Sequence, residues 1–141
     1  MSLVNRSTVA LYAFSALATA IAVTAPQANA ASVSGISVEP GLSFGSSAAY
    51  GTGCSYTLTV HAEPGTQLRF RDIWPDHESW RNTSPDYATA GTDGKASVTW
   101  TPSGTGEHTL VAYNQNAPEN RAQTSATVGT GTRLGPICLV R

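Results

Sequence analysis

Long apolar runs, helical periodicity and clustered charge are all scarce in this chain of 141 residues, and each scarcity removes a class of protein. Charged residues make up 12% of it, and no basic cluster provides the footprint that nucleic acid or an anionic membrane surface requires. From residue 31 onward no segment keeps a 3.6-residue apolar repeat for three turns, so helix is not the building material. Aromatics amount to 8%, with three tryptophans, and two of these fall close together at Trp74 and Trp80. Cysteine occurs twice. No residue pattern asks for a cofactor.

The one apolar run lies near the start, over residues 9–23, behind a single positive charge at Arg6. Interrupted by serine and threonine, it falls short of the roughly 20 apolar residues that a comfortable membrane span needs. Pro26 breaks any helix, and Ala28-Asn29-Ala30 puts small residues at positions −3 and −1 of a signal-peptidase site. The expectation is a secretory signal peptide over residues 1–30, cleaved after Ala30, with a mature domain over residues 31–141. No cysteine stands at the cut to take a lipid, and the C-terminal end carries no hydrophobic tail. Free secretion as a monomer, without membrane insertion of the mature chain, is therefore expected. That mature part holds seven cations against nine acids and has the length of a single domain.

What the mature part does have is alternation with a period of two. Cys54, Tyr56, Leu58 and Val60 face one way while Ser55, Thr57, Thr59 and His61 face the other, the pattern of a half-buried antiparallel strand. Pro64-Gly65 marks a turn, after which Leu68 and Phe70 alternate with Arg69 and Arg71. Asp93-Gly94 reads as a type I′ hairpin turn leading into Ala96, Val98 and Trp100. Leu110 and Ala112 mark a further strand, as do Ala122, Thr124, Ala126 and Val128, while Val33, Ile36 and Val38 open the domain. Short strands separated by Gly/Pro turns predict an all-β sandwich.

Several of these stretches resemble the bacterial Ig-like domain family. Leu58-Thr59-Val60 followed by Pro64-Gly65-Thr66-Gln67-Leu68-Arg69-Phe70-Arg71-Asp72 is similar to its valine-rich strand and Gly-Thr-Val-x-Phe-x-Asp core. Gly94-Lys95-Ala96-Ser97-Val98 and Gly106-Glu107-His108-Thr109-Leu110-Val111-Ala112 resemble two later strands of the same family. The likeness spans roughly half of the chain and rests on strand pattern plus turn glycines. It implies an immunoglobulin-like antiparallel β-sandwich with Greek-key connections, working outside the cell in adhesion, spacing or glycan contact. It carries over no catalytic residue. Two departures stand out: Tyr113 follows Ala112 directly rather than two residues later, and the segment between Asp72 and Ala90 is longer than the family's.

In an exported chain, two cysteines allow one intramolecular bond, Cys54 with Cys138, the alternative being intermolecular pairing. Candidates for chemistry are few. Gly91-Thr92-Asp93-Gly94-Lys95-Ala96 lacks the spacer and the Ser/Thr of a phosphate loop, and His61, His77 and His108 have no nucleophile-elbow context. Asp72, Asp76, His77, Glu78 and Asp86 lack recognised calcium-loop spacing, so a solvated loop without metal is expected there. Asn82-Thr83-Ser84 has the form of a glycosylation sequon. Residues 73–86 read as a long loop holding Trp74 and Trp80, which either cap the sandwich or form a recognition surface. In the second case Trp74, Asp76, Trp80 and Arg81 are the candidate ligand-binding residues. The leading expectation is a non-catalytic module recognising a protein or carbohydrate ligand. A spacer without a ligand, and a small secreted enzyme or enzyme inhibitor, are the alternatives.

Overall fold

The computed structural model describes residues 32–41, 43–44 and 48–141, and the export segment expected over residues 1–30 lies outside them. Among the described residues thirteen strands follow one another: β1 (Val33–Val38), β2 (Ser43–Phe44), β3 (Tyr50–Gly51), β4 (Tyr56–Ala62), β5 (Gln67–Trp74), β6 (His77–Ser79) and β7 (Thr83–Ser84), then β8 (Tyr87–Thr89), β9 (Lys95–Trp100), β10 (Gly106–Asn114), β11 (Ala117–Gly129), β12 (Gly131–Leu134) and β13 (Ile137–Val140). One sheet has the order β1-β4-β9-β7, and the other runs β3-β11-β10-β5-β6 with β8 also paired to β5. Both are antiparallel except where β3 joins β11 in parallel. Matched to immunoglobulin strands, the first sheet is A-B-E-D and the second G-F-C-C′, so the chain is an immunoglobulin-like sandwich with Greek-key crossovers.

Alternation places the core. In β4 the residues Tyr56, Leu58, Val60 and Ala62 are buried, and in β9 so are Ala96, Val98 and Trp100. They meet Leu68 and Phe70 of β5, Leu110 and Ala112 of β10, and Ala126 and Val128 of β11 across the gap between the sheets. Each valine, leucine or phenylalanine among them contributes about 1.5–3 kcal/mol by leaving water, and Trp100, with no exposed surface, is the largest side chain of the set. Tyr50 packs edge-on against it at a ring separation of 5.4 Å, and Tyr56 packs at a tilt at 5.8 Å. Burial, followed by the neighbouring Tyr56, holds the Tyr50 phenol in its neutral form to a higher pH than usual. That form donates its proton to the Val38 carbonyl at 3.1 Å.

Two sequence expectations need correction. The turn before β9 is not type I′, because only Gly94 takes positive φ, at 73°. Gly94 N–H donates to the Gly91 carbonyl at 3.0 Å and Gly91 N–H to that of Lys95 at 2.9 Å. Asp93 Oδ1 accepts from Lys95 N–H at 3.1 Å, an Asx-type bond across the turn. The turn joins strands of different sheets, since β8 pairs with β5 and not with β9. The second correction concerns residues 73–86, which are not a long loop. β5 runs on through Trp74 and turns at Pro75-Asp76 into β6, with Trp74 opposite His77. Proline fixes a negative φ while Asp76 takes a φ of 61°, the sign combination of a type II turn. The chain then crosses to the first sheet, where β7 pairs with β9.

A third small sheet, β12-β13-β2, lies beside the start of β4. Cys54 and Cys138 are joined there with their Cα atoms 6.1 Å apart, and both are buried. Val140, fully buried, brings this C-terminal hairpin into the main core. Gly131 permits the approach: a side chain on it would strike the Thr52 backbone. A bond of this kind fits an oxidising compartment. No described helix is long and apolar enough to cross a membrane.

Candidate functional site

Inside the sandwich, alternation on β5 and β10 directs two polar side chains into the core. Asp72 follows Leu68 and Phe70 on the inner face, His108 precedes Leu110 and Ala112, and both are completely buried. Asp72 Oδ2 accepts from Trp100 Nε1 at 2.8 Å and from Asn82 Nδ2 at 2.7 Å, while Oδ1 lies 2.6 Å from His108 Nδ1. His108 Nε2 lies 2.9 Å from the Gly104 carbonyl. That carbonyl can only accept, so Nε2 carries a hydrogen, and one further proton lies between Nδ1 and the carboxylate. Whichever atom holds it, the pair is neutral overall, and no buried side-chain polar atom among the described residues lacks a partner. The sequon is spent in this network, because the Asn82 nitrogen that a glycan would occupy is the donor to Asp72.

Trp74 closes this end of the sandwich. Its ring stacks on His108 at 5.1 Å with planes 13° apart, and on His77 at 5.3 Å. A side chain at Gly104 would run into the Trp74 indole nitrogen, so the 103–106 turn fits under the ring only with glycine there. Trp74 is therefore a structural cap. Asp76 is exposed at the tip of the turn, and Arg81 is exposed with its backbone N–H on Ser79 Oγ at 3.0 Å. The structure does not gather the four sequence candidates into one site.

Trp80 belongs elsewhere. Its ring, 58% exposed, borders a shallow depression of about 240 Å³ lined also by Arg69, Arg71, Asp86 and Tyr113 on the outer face of the second sheet. Register explains how these residues meet. Tyr87 on β8 pairs with Arg69 on β5, Arg69 with Tyr113 on β10, and Tyr113 with Arg121 on β11. Cross-strand partners share a face, so Tyr87, Arg69, Tyr113 and Arg121 form a ladder running perpendicular to the strands. The Arg69 guanidinium lies over the Tyr87 ring at 5.9 Å and that of Arg71 over the Tyr113 ring at 5.3 Å. Asp86 holds Arg69 at 3.2 Å and Glu78 holds Arg71 at 3.0 Å. Further depressions flank the first, one lined by Gln67, Arg69, Tyr87 and Gln115, the other by Arg71, Ile73, Val111, Tyr113 and Arg121.

Of the residues on this face the sequence singles out Trp80 alone as a binding candidate, and it leaves out Arg69, Arg71, Tyr87, Tyr113 and Arg121. The outward alternation of Arg69 and Arg71 was a visible signal, whereas the other three depend on register. As to chemistry, Asp72 is buried, and Asp86 and Glu78 face arginines, so the carboxylates considered for calcium are dispersed. Among the described residues no group of three His, Cys, Asp or Glu is placed to hold a metal ion. The two ring nitrogens of His108 face Asp72 and the Gly104 carbonyl, not a serine hydroxyl.

Trp74 and Trp80 should respond differently to truncation. Trp80→Ala is expected to change stability by less than about 0.5 kcal/mol, as for surface sites without structural contacts. Trp74→Ala should cost on the order of 2 kcal/mol by uncovering His108. Paired thermal melts check this, and equal losses would contradict the division.

No protein-family model matches the chain, and no curated protein matches it. Among solved structures it is similar to the ASH/PapD-like domain 7 of human CEP192, with 11% identity over 66% of this chain and 81% of that one, at a TM-score of 0.29. It is also similar to WR4, a C. elegans MSP family member, with 16% identity over 74% of this chain and 95% of that one, again at 0.29. The class of fold rests on the strand order itself.

Proposed function

We propose that this chain is an exported, non-catalytic recognition module that binds a cell-surface ligand, protein or carbohydrate, through the outer face of the β11-β10-β5 sheet. One observation carries the reading: Trp80 and Tyr87, 58% and 60% exposed, stand on that face beside Arg69 and Arg71. Tryptophan, tyrosine and arginine are the residue types that dominate binding energy at interfaces. Two large rings in water contribute nothing to the core, in which Trp100, Tyr56 and Phe70 are the buried aromatics. The disulfide and the export signal expected over residues 1–30 support secretion. The resemblance to bacterial Ig-like domains supports an adhesive role.

The test is binding to an oligosaccharide array and to intact cell envelopes, comparing the native chain with Trp80→Ala and Arg71→Ala. Both variants should fold normally and lose at least tenfold in affinity, while Thr59→Ala on the opposite sheet should bind as the native chain does. Binding that survives both face variants, or no binding to any probe, would contradict the reading.

A further inference from the structure

From the Tyr87–Arg69–Tyr113–Arg121 ladder we infer that the ligand is an acidic glycan with one carboxylate per disaccharide, lying across the strands. The inference rests on the proposed recognition face and adds the chemistry of its occupant. Charge comes first. Arg69, Arg71 and Arg121 are three of the eight Lys and Arg residues of a chain whose net charge is −1, and all lie on this one face. Arg121 forms no ion pair among the described residues. Arg69 engages Asp86 through Nη1, and its fork has donors beyond that bond for a second carboxylate.

Spacing comes next. Neighbouring strands lie about 4.8 Å apart, so Arg69 and Arg121, with Tyr113 between them, are separated by about 9.6 Å across the sheet. An extended glycan with an acidic sugar at every second position repeats its carboxylates over a similar length. It also sets the intervening neutral sugar opposite Tyr113, whose ring gives an apolar surface to a pyranose face. An extended peptide repeats its same-face side chains every 6.7 Å or so, out of step with the ladder. The depressions on either side of Arg69 and Arg71 share those residues, so the track is continuous from Tyr87 to Arg121. The Arg69 and Arg71 guanidinium groups, 5.9 and 5.3 Å from tyrosine ring centres, carry planar forks of donors of the kind that pair with a carboxylate.

The experiment titrates the full mature chain with a hyaluronan decasaccharide, which has one carboxylate per disaccharide, with a neutral chitin oligosaccharide of similar length, and with poly-glutamate. Hyaluronan should bind saturably and weaken as salt rises. Its affinity should fall at least tenfold in Arg121→Ala and in Tyr87→Ala, both of which should melt as the native chain does. The neutral oligosaccharide should bind at least tenfold more weakly than hyaluronan. Absence of hyaluronan binding, equal binding of poly-glutamate, or an affinity unchanged in Arg121→Ala would each overturn the inference. If hyaluronan fails while Trp80→Ala and Arg71→Ala still abolish binding to cell envelopes, the recognition face stands and only the acidic glycan falls.

Discussion

Replacing Cys54 and Cys138 together by alanine is expected to lower the melting temperature by roughly 15–20 °C, with the native strand order retained at low temperature. The bond links residues 84 apart in sequence. In the chain-entropy description, closing a loop of that length stabilises the fold by about 4.6 kcal/mol, and a domain near 110 residues shifts by about 4 °C per kcal/mol. The expected loss is a large share of the total, because small domains are stable by only about 5–15 kcal/mol. Location adds to the effect. Cys138 lies two residues from the fully buried Val140, and Cys54 lies two residues before Tyr56, the start of β4 inside the first sheet. Reduction of the native protein should give the same shift. A shift below about 3 °C, or two titratable thiols in the unreduced exported protein, would contradict the structural role of the bond.

Asp72→Ala is expected to destabilise the protein by about 3–5 kcal/mol, whereas Asp72→Asn should cost only about 1 kcal/mol. Alanine removes the acceptor of Trp100 Nε1 and of Asn82 Nδ2 and the partner of His108 Nδ1, and leaves all three buried without a replacement. Asparagine keeps an oxygen for the first two. Its amide N–H can donate to Nδ1 of a neutral His108 whose Nε2–H still serves the Gly104 carbonyl. Chemical denaturation of the two variants reads the difference. Equal losses would show that the negative charge, and not the hydrogen-bond set, holds this end of the core.

The fold was largely legible because its strands are amphipathic. The alternations Tyr56-Leu58-Val60 and Ala96-Val98-Trp100 run along single strands, and burial follows them residue by residue. The same rule, extended, would have placed Asp72 after Phe70 and His108 before Leu110 in the core. Polar identity hid them, since a carboxylate and an imidazole are buried only when partners arrive from distant strands. Trp74 was ambiguous for a related reason: what it covers, Gly104 and His108, comes some thirty residues later. The hairpin β5–β6 reads as a loop in the sequence because Pro75-Asp76 and the charges after it look solvated, and backbone pairing to β5 leaves no mark in composition. The ladder was the least legible feature. Tyr87, Arg69, Tyr113 and Arg121 lie on four strands, and only their pairing register puts them in one row.

The central claim is that one loop tryptophan looks out from the second sheet while the other two are committed to the sandwich, and quenching of tryptophan fluorescence by acrylamide tests it most directly. Trp100 has no exposed surface, Trp74 is half-buried under stacking contacts with two histidines, and Trp80 is 58% exposed. The account predicts a readily quenched component that disappears in Trp80→Phe and persists in Trp74→Phe. An emission that resists quenching in the native chain, or a quenched component that disappears with Trp74 instead, would contradict it.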